Sequence, residues 1–486
     1  MRAAVPMMPR RPAPIRMAIL LMLPLLWGGI KASAGDLTPP PSQVLPSDDE
    51  IRKILVERLG AAEPSLGIAV GIIEPRGRRV ISFGHRKLGD PRAVDGDTVF
   101  EIGSVTKVFT ALLLADMVSK KELALSDPVA KYLPNNVKAP ERNGRAITLL
   151  DLATHTSGLP FMPENAPPFN EPAAARYSAS DLRRYVSSYQ LTREIGSQWE
   201  YSNVGYWLLS EALSARGHQD FEDLLRKRVL LPLKMARTDC KLSAQLKANL
   251  AIGHDSGLQP VRGIASVPIY SIMPAAGGLF STVNDLLTFL SAAMKDQPSS
   301  LAPAILTTVT TRRPTSGNSE QALGWTVFSP GSDELIFRDG GTVGYASAIG
   351  WDPARRVGIV VLLNQIGAVD DIARHILRSD FPLAQSTVKT HSAITLDPKV
   401  LDSYAGQYEA EGEGTFTVIH ESDFLTIEAP ADWGLPKIRI RPETEHDFFA
   451  AELPVRVTFQ TESDGRVRGL IIFPPRGQKG VPAKRH

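Results

Sequence analysis

Ser104-Val-Thr-Lys107 sets a hydroxyl and an amine three residues apart at the opening of the apolar run Val108 to Val118. At a helix start this spacing puts both side chains on one face, about one turn from each other. A serine hydroxyl is a weak nucleophile until a base takes its proton, and an amine kept neutral by burial or cationic neighbours can be that base. The helix N-terminus adds backbone N–H groups and a positive dipole end where an oxyanion would form. A second copy of the spacing, Ser386-Thr-Val-Lys389, follows Phe381-Pro382 in a polar stretch with no helical apolar period, and reads as linker.

Tyr201-Ser202-Asn203, inside Gly196 to Tyr206, is the second set. A phenol beside an ammonium can relay protons between a serine and a leaving group, and an amide such as Asn203 can hold a substrate carbonyl. The same residues also read as the cap of a helix over Val204 to Ala215, since Ser and Asn are good N-caps. Both readings can hold, because a cap fixes the side chains that do the chemistry. The third set is Arg338-Asp-Gly-Gly-Thr-Val-Gly-Tyr345, a Gly-rich strand followed by Ala346 to Trp351 and the β-branched run Val357 to Leu363. Glycines on a strand edge allow backbone N–H groups to reach a substrate. Taken alone, the segment reads as a β-hairpin with bulge glycines.

The three sets in this order resemble the serine β-lactamase/DD-peptidase superfamily and its class C branch, in which Ser-x-x-Lys carries the nucleophile. That branch includes class C β-lactamases, D-alanyl-D-alanine carboxypeptidase/endopeptidases, D-aminopeptidases and β-lactamase-like carboxylesterases. Ile147 to Pro160 (with His-Thr-Ser-Gly), Ala276 to Asp285 and Leu323-Gly-Trp325 add to the resemblance, which spans Ile51 to Arg378. It implies Ser104 as the acylated nucleophile, Lys107 as its base and Tyr201 as general acid/base. It also implies Asn203, Arg338, Gly340 and Gly341 as substrate contacts, with the backbone N–H groups of Ser104 and Gly341 as oxyanion hole. Neither a metal nor a cofactor is implied. The family expects Lys-Thr-Gly or His-x-Gly at the third set, and this chain has Arg338-Asp339-Gly340. A guanidinium keeps the positive charge but gives up no proton, so it can bind a substrate carboxylate without shuttling protons. His155 reads as a structural hydrogen-bonder at a helix end, since the Ser–Lys–Tyr set needs no histidine.

The expected activity is that of an exported serine hydrolase acting through an acyl-enzyme on D-alanyl peptides or β-lactams. A carboxylesterase for short esters and a weakly active or non-catalytic penicillin-recognising protein are the alternatives, the latter because of Arg338. The partners expected are small-molecule or peptide substrates: a cell-wall peptide, a β-lactam or an ester.

Those 486 residues leave room for two or three domains, and 43% hydrophobic with 22% charged residues is an ordinary globular balance. Residues 1–34 have the pattern of a signal peptide: a basic start with Arg2, Arg10, Arg11 and Arg16, the apolar run Met17 to Trp27, and Ala32-Ser-Ala34 before Gly35. The run is short for a membrane span, so a periplasmic or secreted protein with no stable span is expected after its removal. Removal leaves 49 basic against 52 acidic residues and changes the formal charge from +2 to −3. Such a balance argues against bulk nucleic-acid binding, which rests on phosphate neutralisation. The lone Cys240 forms no internal disulfide. Zinc spacings and a Gly-x-Ser-x-Gly elbow are missing from the sequence, which removes metallohydrolase and α/β-hydrolase readings.

Residues 35–50 read as spacer, 51–378 as the hydrolase domain, 379–395 as linker and 396–486 as a second domain. Strand patterns at 67–73, 79–83 and 323–363 bracket helical segments. This predicts an α/β fold: an antiparallel sheet flanked by helices, plus an all-helical subdomain. After Leu396 the short alternating runs, such as Thr415 to Ile419 and Val467 to Phe473, predict a small antiparallel β-barrel. It resembles the lipocalin-like domain appended to this branch, and it reads as a gating or packing module more readily than as a ligand carrier.

Overall fold

A computed structural model describes residues 45–486 other than 60–65, 88, 167–175, 257, 262–271, 316, 330–333, 385–390, 392, 431–436, 451–454, 463 and 474–479. The signal-peptide pattern and the Ser386–Lys389 copy lie outside the described residues.

Runs that are apolar without alternation demand strands covered on both faces. Such runs form the middle of an eight-stranded antiparallel sheet. Its strands are β1 (Gly67–Glu74), β2 (Gly77–Gly84), β3 (Arg312–Pro314), β4 (Ser319–Ala322), β5 (Thr326–Phe328), β6 (Leu335–Gly341), β7 (Ala346–Asp352) and β8 (Val357–Leu363), in the order β2-β1-β8-β7-β6-β5-β4-β3. Both ends of the domain therefore meet at the centre, where Val70 pairs with Val361. On one face Ile68, Val70, Ile72, Ile359 and Val361 pack with Ile51 and Leu55 of helix α1 (Asp48–Leu59) and with Ile372 and Ile376 of a helix over Asp370–Leu377. On the other, Ala69, Val360, Leu362, Ile349 and Trp351 meet the larger core built on α2 (Thr106–Ser119). Every residue of α2 from Thr106 to Met117 is buried. A helix that is apolar all round belongs in an interior, and this one carries Lys107 there in its first turn.

The C-terminal region forms a closed eight-stranded barrel from Gly406–Ala410 to Val481–Arg485, each strand antiparallel to the next. Closure removes the sheet edges. Tyr404, Tyr408, Phe416, Phe448 and Phe459 gather with Val418, Leu425, Ile440, Val457 and Leu470 in one buried cluster. Among the described residues that barrel core is made of packed side chains.

Candidate active site

Ser104 sits on a single 3-10 turn, Gly103–Val105, that feeds α2. The turn is fixed by contact with the end of β6. Gly103 has φ +45°, and a Cβ there would lie 2.5 Å from the Gly341 carbonyl oxygen. A Cβ on Gly340 would fall 2.3 Å from the Ile102 carbonyl oxygen and 2.9 Å from the Ser104 nitrogen. Both positions exclude a side chain, so the glycines permit the backbone of β6 to lie against the turn that presents Ser104. Ser347 on β7, opposite Gly340, donates to the Ile102 carbonyl at 2.8 Å and closes the same contact.

Tyr201 and Asn203 arrive from the start of α3 (Asn203–Gly217). Ser202 is its N-cap: its hydroxyl accepts from Gly205 N at 2.8 Å and donates to the Pro160 carbonyl at 2.7 Å. The cap fixes the residues on either side of it. The Tyr201 hydroxyl lies 2.6 Å from Ser104 Oγ. Asn203 Oδ1 accepts from Lys107 Nζ at 2.7 Å, and the Ala276 carbonyl accepts from the same nitrogen at 2.6 Å. Lys107 Nζ is 3.2 Å from Ser104 Oγ. The Lys107 side chain is wholly buried. Burial first, and then the charge of Arg338, hold its amine well below the usual lysine range, with Asp339 opposing.

Arg338 comes from the middle of β6, pairs across to Ile349 and is almost fully buried. Its Nη2 donates to the Tyr201 hydroxyl at 2.8 Å, and its Nε approaches the Ser104 carbonyl at 3.4 Å. The guanidinium thus lies within the same cluster, against the phenol oxygen.

His155 follows the short helix Leu149–Ala153, whose start is closed by a reciprocal Thr148–Asp151 capping box. It has φ +58°, a left-handed conformation at the helix end. Its Nδ1 accepts from Ser202 N at 3.1 Å, which leaves the ring proton on Nε2. The ring lies 4.5 Å from that of Tyr201 and 5.1 Å from that of Tyr206, centre to centre. Burial, then the charges of Arg338 and Lys107, push it well below the usual histidine range. It is a neutral hydrogen-bonder behind Tyr201.

The structure therefore gathers Ser104, Lys107, Tyr201, Asn203, Arg338, Gly340 and Gly341 in one cluster. The contact between Asn203 and Lys107 was not readable from spacing, since 96 residues separate them. The Ala276 carbonyl was equally hidden, because a backbone acceptor leaves no residue-type signal.

The model of the Beta-lactamase family matches residues 54–380, about two thirds of the chain. The chain belongs to the Beta-lactamase family. Among curated relatives of this family member, the D-alanyl-D-alanine-carboxypeptidase/endopeptidase AmpH of Escherichia coli (strain K12) is 27% identical over 315 residues, covering 62% of this chain and 79% of the relative. A Beta-lactamase of the same organism is 27% identical over 332 residues, covering 62% and 84%. The class C beta lactamase from Rhodobacter sphaeroides shares the fold with a TM-score of 0.57 at 23% identity, over 66% of this chain and 94% of that one. The Beta-lactamase/D-alanine Carboxypeptidase from Yersinia pestis complexed with citrate does so with 0.54 at 24%, over the same shares. Residues 390–480 match a domain of unknown function (DUF3471), so the barrel's likeness to a lipocalin goes no further than an eight-stranded closed barrel.

Proposed function

We propose that this family member is an exported serine hydrolase that acts through an acyl-enzyme on D-alanyl peptides or β-lactams. The observation that carries the reading is the environment of Lys107. A neutral amine has two N–H groups and one lone pair. Asn203 Oδ1 and the Ala276 carbonyl accept the two N–H groups, and the remaining direction is toward Ser104 Oγ, 3.2 Å away. An ammonium would have a third proton on that side and could not act as base. Burial and Arg338 both favour the neutral form.

In this mechanism Lys107 takes the Ser104 proton as Oγ attacks the substrate carbonyl. The developing oxyanion is bound by the backbone N–H groups of Ser104 and Gly341, whose strands and turn are held in contact at Gly103 and Gly340. Tyr201, touching Ser104 Oγ, passes a proton to the leaving group; Arg338, donating to the same phenol oxygen, stabilises negative charge on it during transfer. Water then enters along the same path and frees Ser104. The remaining N–H groups of Arg338 are available to a substrate carboxylate.

An esterase reading is favoured by one observation: two N–H groups of Arg338 already face Tyr201 and the Ser104 carbonyl, leaving fewer for a carboxylate. A side-by-side assay of the protein lacking residues 1–34 with a chromogenic cephalosporin, a D-alanyl-D-alanine peptide and a short-chain nitrophenyl ester separates the two. Turnover of the first or second supports the main reading; turnover of the ester alone replaces it.

A further inference from the structure

We infer that the C-terminal barrel is a positioning element of this same active site, acting through Ser256 and His391. The inference rests on the serine-hydrolase reading above and assigns the barrel a role within it.

Residues 251–256 bridge two surroundings. On the hydrolase side they lie against the turn that joins β6 to β7. His254 N lies 3.2 Å from the Gly344 carbonyl oxygen and 3.0 Å from that of Asn364, and donates to both. The Tyr345 hydroxyl donates to the Ala251 carbonyl at 2.7 Å. A Cβ on Gly253 would sit 2.8 Å from the Gly344 carbonyl oxygen, so the two backbones touch directly. The turn itself is closed by Thr342 N donating to the Tyr345 carbonyl at 2.9 Å. Gly344 is three residues from Gly341, which abuts the Ser104 turn.

On the barrel side the same segment is gripped twice at Ser256. Its hydroxyl donates to the carbonyl of Ala450, on the strand Asp447–Ala450, at 3.1 Å. Its carbonyl accepts from His391 N at 3.2 Å. His391 is in turn fixed to the barrel, with Nδ1 2.9 Å from Glu443 Oε2 and its ring stacked on Phe449 at 4.8 Å.

Ser256 is thus two residues from the amide that binds Gly344. The segment also turns back on itself, with Asp255 N donating to the Gln259 carbonyl at 3.0 Å and Val261 N to that of Gly253 at 2.9 Å, so a pull at Ser256 acts on a short bonded unit that contains His254. The hydrolase side also holds His254 through Ile366 N, which donates to its carbonyl at 2.9 Å, so losing the barrel grip at Ser256 shifts this unit slightly against the Gly341–Tyr345 turn and does not release it. Misplacing an oxyanion donor lowers the rate of the chemical step more than it weakens substrate binding.

The test uses the full chain carrying Ser256→Ala, Ser256→Thr or His391→Ala. Acylation by whichever substrate labels the wild type is measured together with hydrogen exchange of residues 341–346. Ser256→Ala and His391→Ala should slow acylation about three- to ten-fold, the scale of one hydrogen bond, while KM moves less than about twofold. Exchange across the turn should rise. Ser256→Thr should restore both, and Arg466→Ala on an exposed barrel turn should change neither. Wild-type rates and unchanged exchange in both Ser256→Ala and His391→Ala would overturn the inference. If the wild type itself is never acylated, the hydrolase reading fails instead, and the exchange measurement still decides whether the barrel holds the turn.

Discussion

Arg338 and Tyr201 are joined by a hydrogen bond of 2.8 Å to a phenol oxygen that also lies 2.6 Å from Ser104 Oγ. This links the third motif to the proposed proton path. From sequence, Arg338 is expected to act on substrate carboxylates alone, which would leave neutral esters indifferent to its loss. The contact with Tyr201 predicts otherwise.

Arg338→Ala should lower kcat for a neutral nitrophenyl ester by about ten- to a hundred-fold, the range for a charge-assisted hydrogen bond. Arg338→Lys should fall between, since an ammonium keeps the charge but not the fork that reaches Tyr201 and the Ser104 carbonyl together. Steady-state kinetics on the ester decide it. Unchanged ester turnover in Arg338→Ala would confine the guanidinium to carboxylate binding.

Lys107 governs the expected pH dependence. Its folded pKa is held well below the ordinary value of 10.5, chiefly by burial. Activity should therefore rise as pH rises through that lowered pKa and be high well before the ordinary lysine range. For stability the sign is the same. Between the lowered pKa and the ordinary one the unfolded chain binds the extra proton, so stability rises with pH. As pH rises from the lowered pKa toward about 10, wild type should gain stability relative to Lys107→Met in thermal melts. A parallel pH response in the two proteins would mean that Lys107 is charged in the folded state.

The inner strands were legible because strands buried on both faces give unbroken apolar runs, as in Val357 to Leu363. The edge strand Arg312–Pro314 and its neighbour Ser319–Ala322 were not, since they are only three and four residues long and built largely of Arg, Ser, Glu and Gln, which carry no such run. Two barrel strands were hidden for a related reason: Gly406–Ala410 has a single aromatic, and Val481–Arg485 contains Pro482, which lowers strand propensity. The site's residues were legible as types at short spacing. The contacts that orient them, Asn203 and the Ala276 carbonyl on Lys107 and Arg338 on Tyr201, join distant segments and only the folded chain reveals them.

His155 separates positioning from acid–base chemistry. Asn tolerates the left-handed backbone at this position and offers a short-range acceptor to Ser202 N. His155→Asn should keep most of kcat, whereas His155→Leu should lose about tenfold or more and melt earlier, having neither property. Neither should move the acid limb of the pH profile. A limb that vanishes in an otherwise active His155→Asn would make the imidazole the titrating base.

In the proposed reaction Ser104 Oγ is the nucleophile and Lys107 activates it. Intact-protein and peptide mass spectrometry after exposure to a penicillin or an activated ester reads this out. One acyl group should appear on the peptide carrying Ser104. It should be absent from folded Ser104→Ala, and its formation should be slowed by several orders of magnitude in Lys107→Ala. Labelling that persists in Ser104→Ala, or that maps to Ser386, would contradict the account.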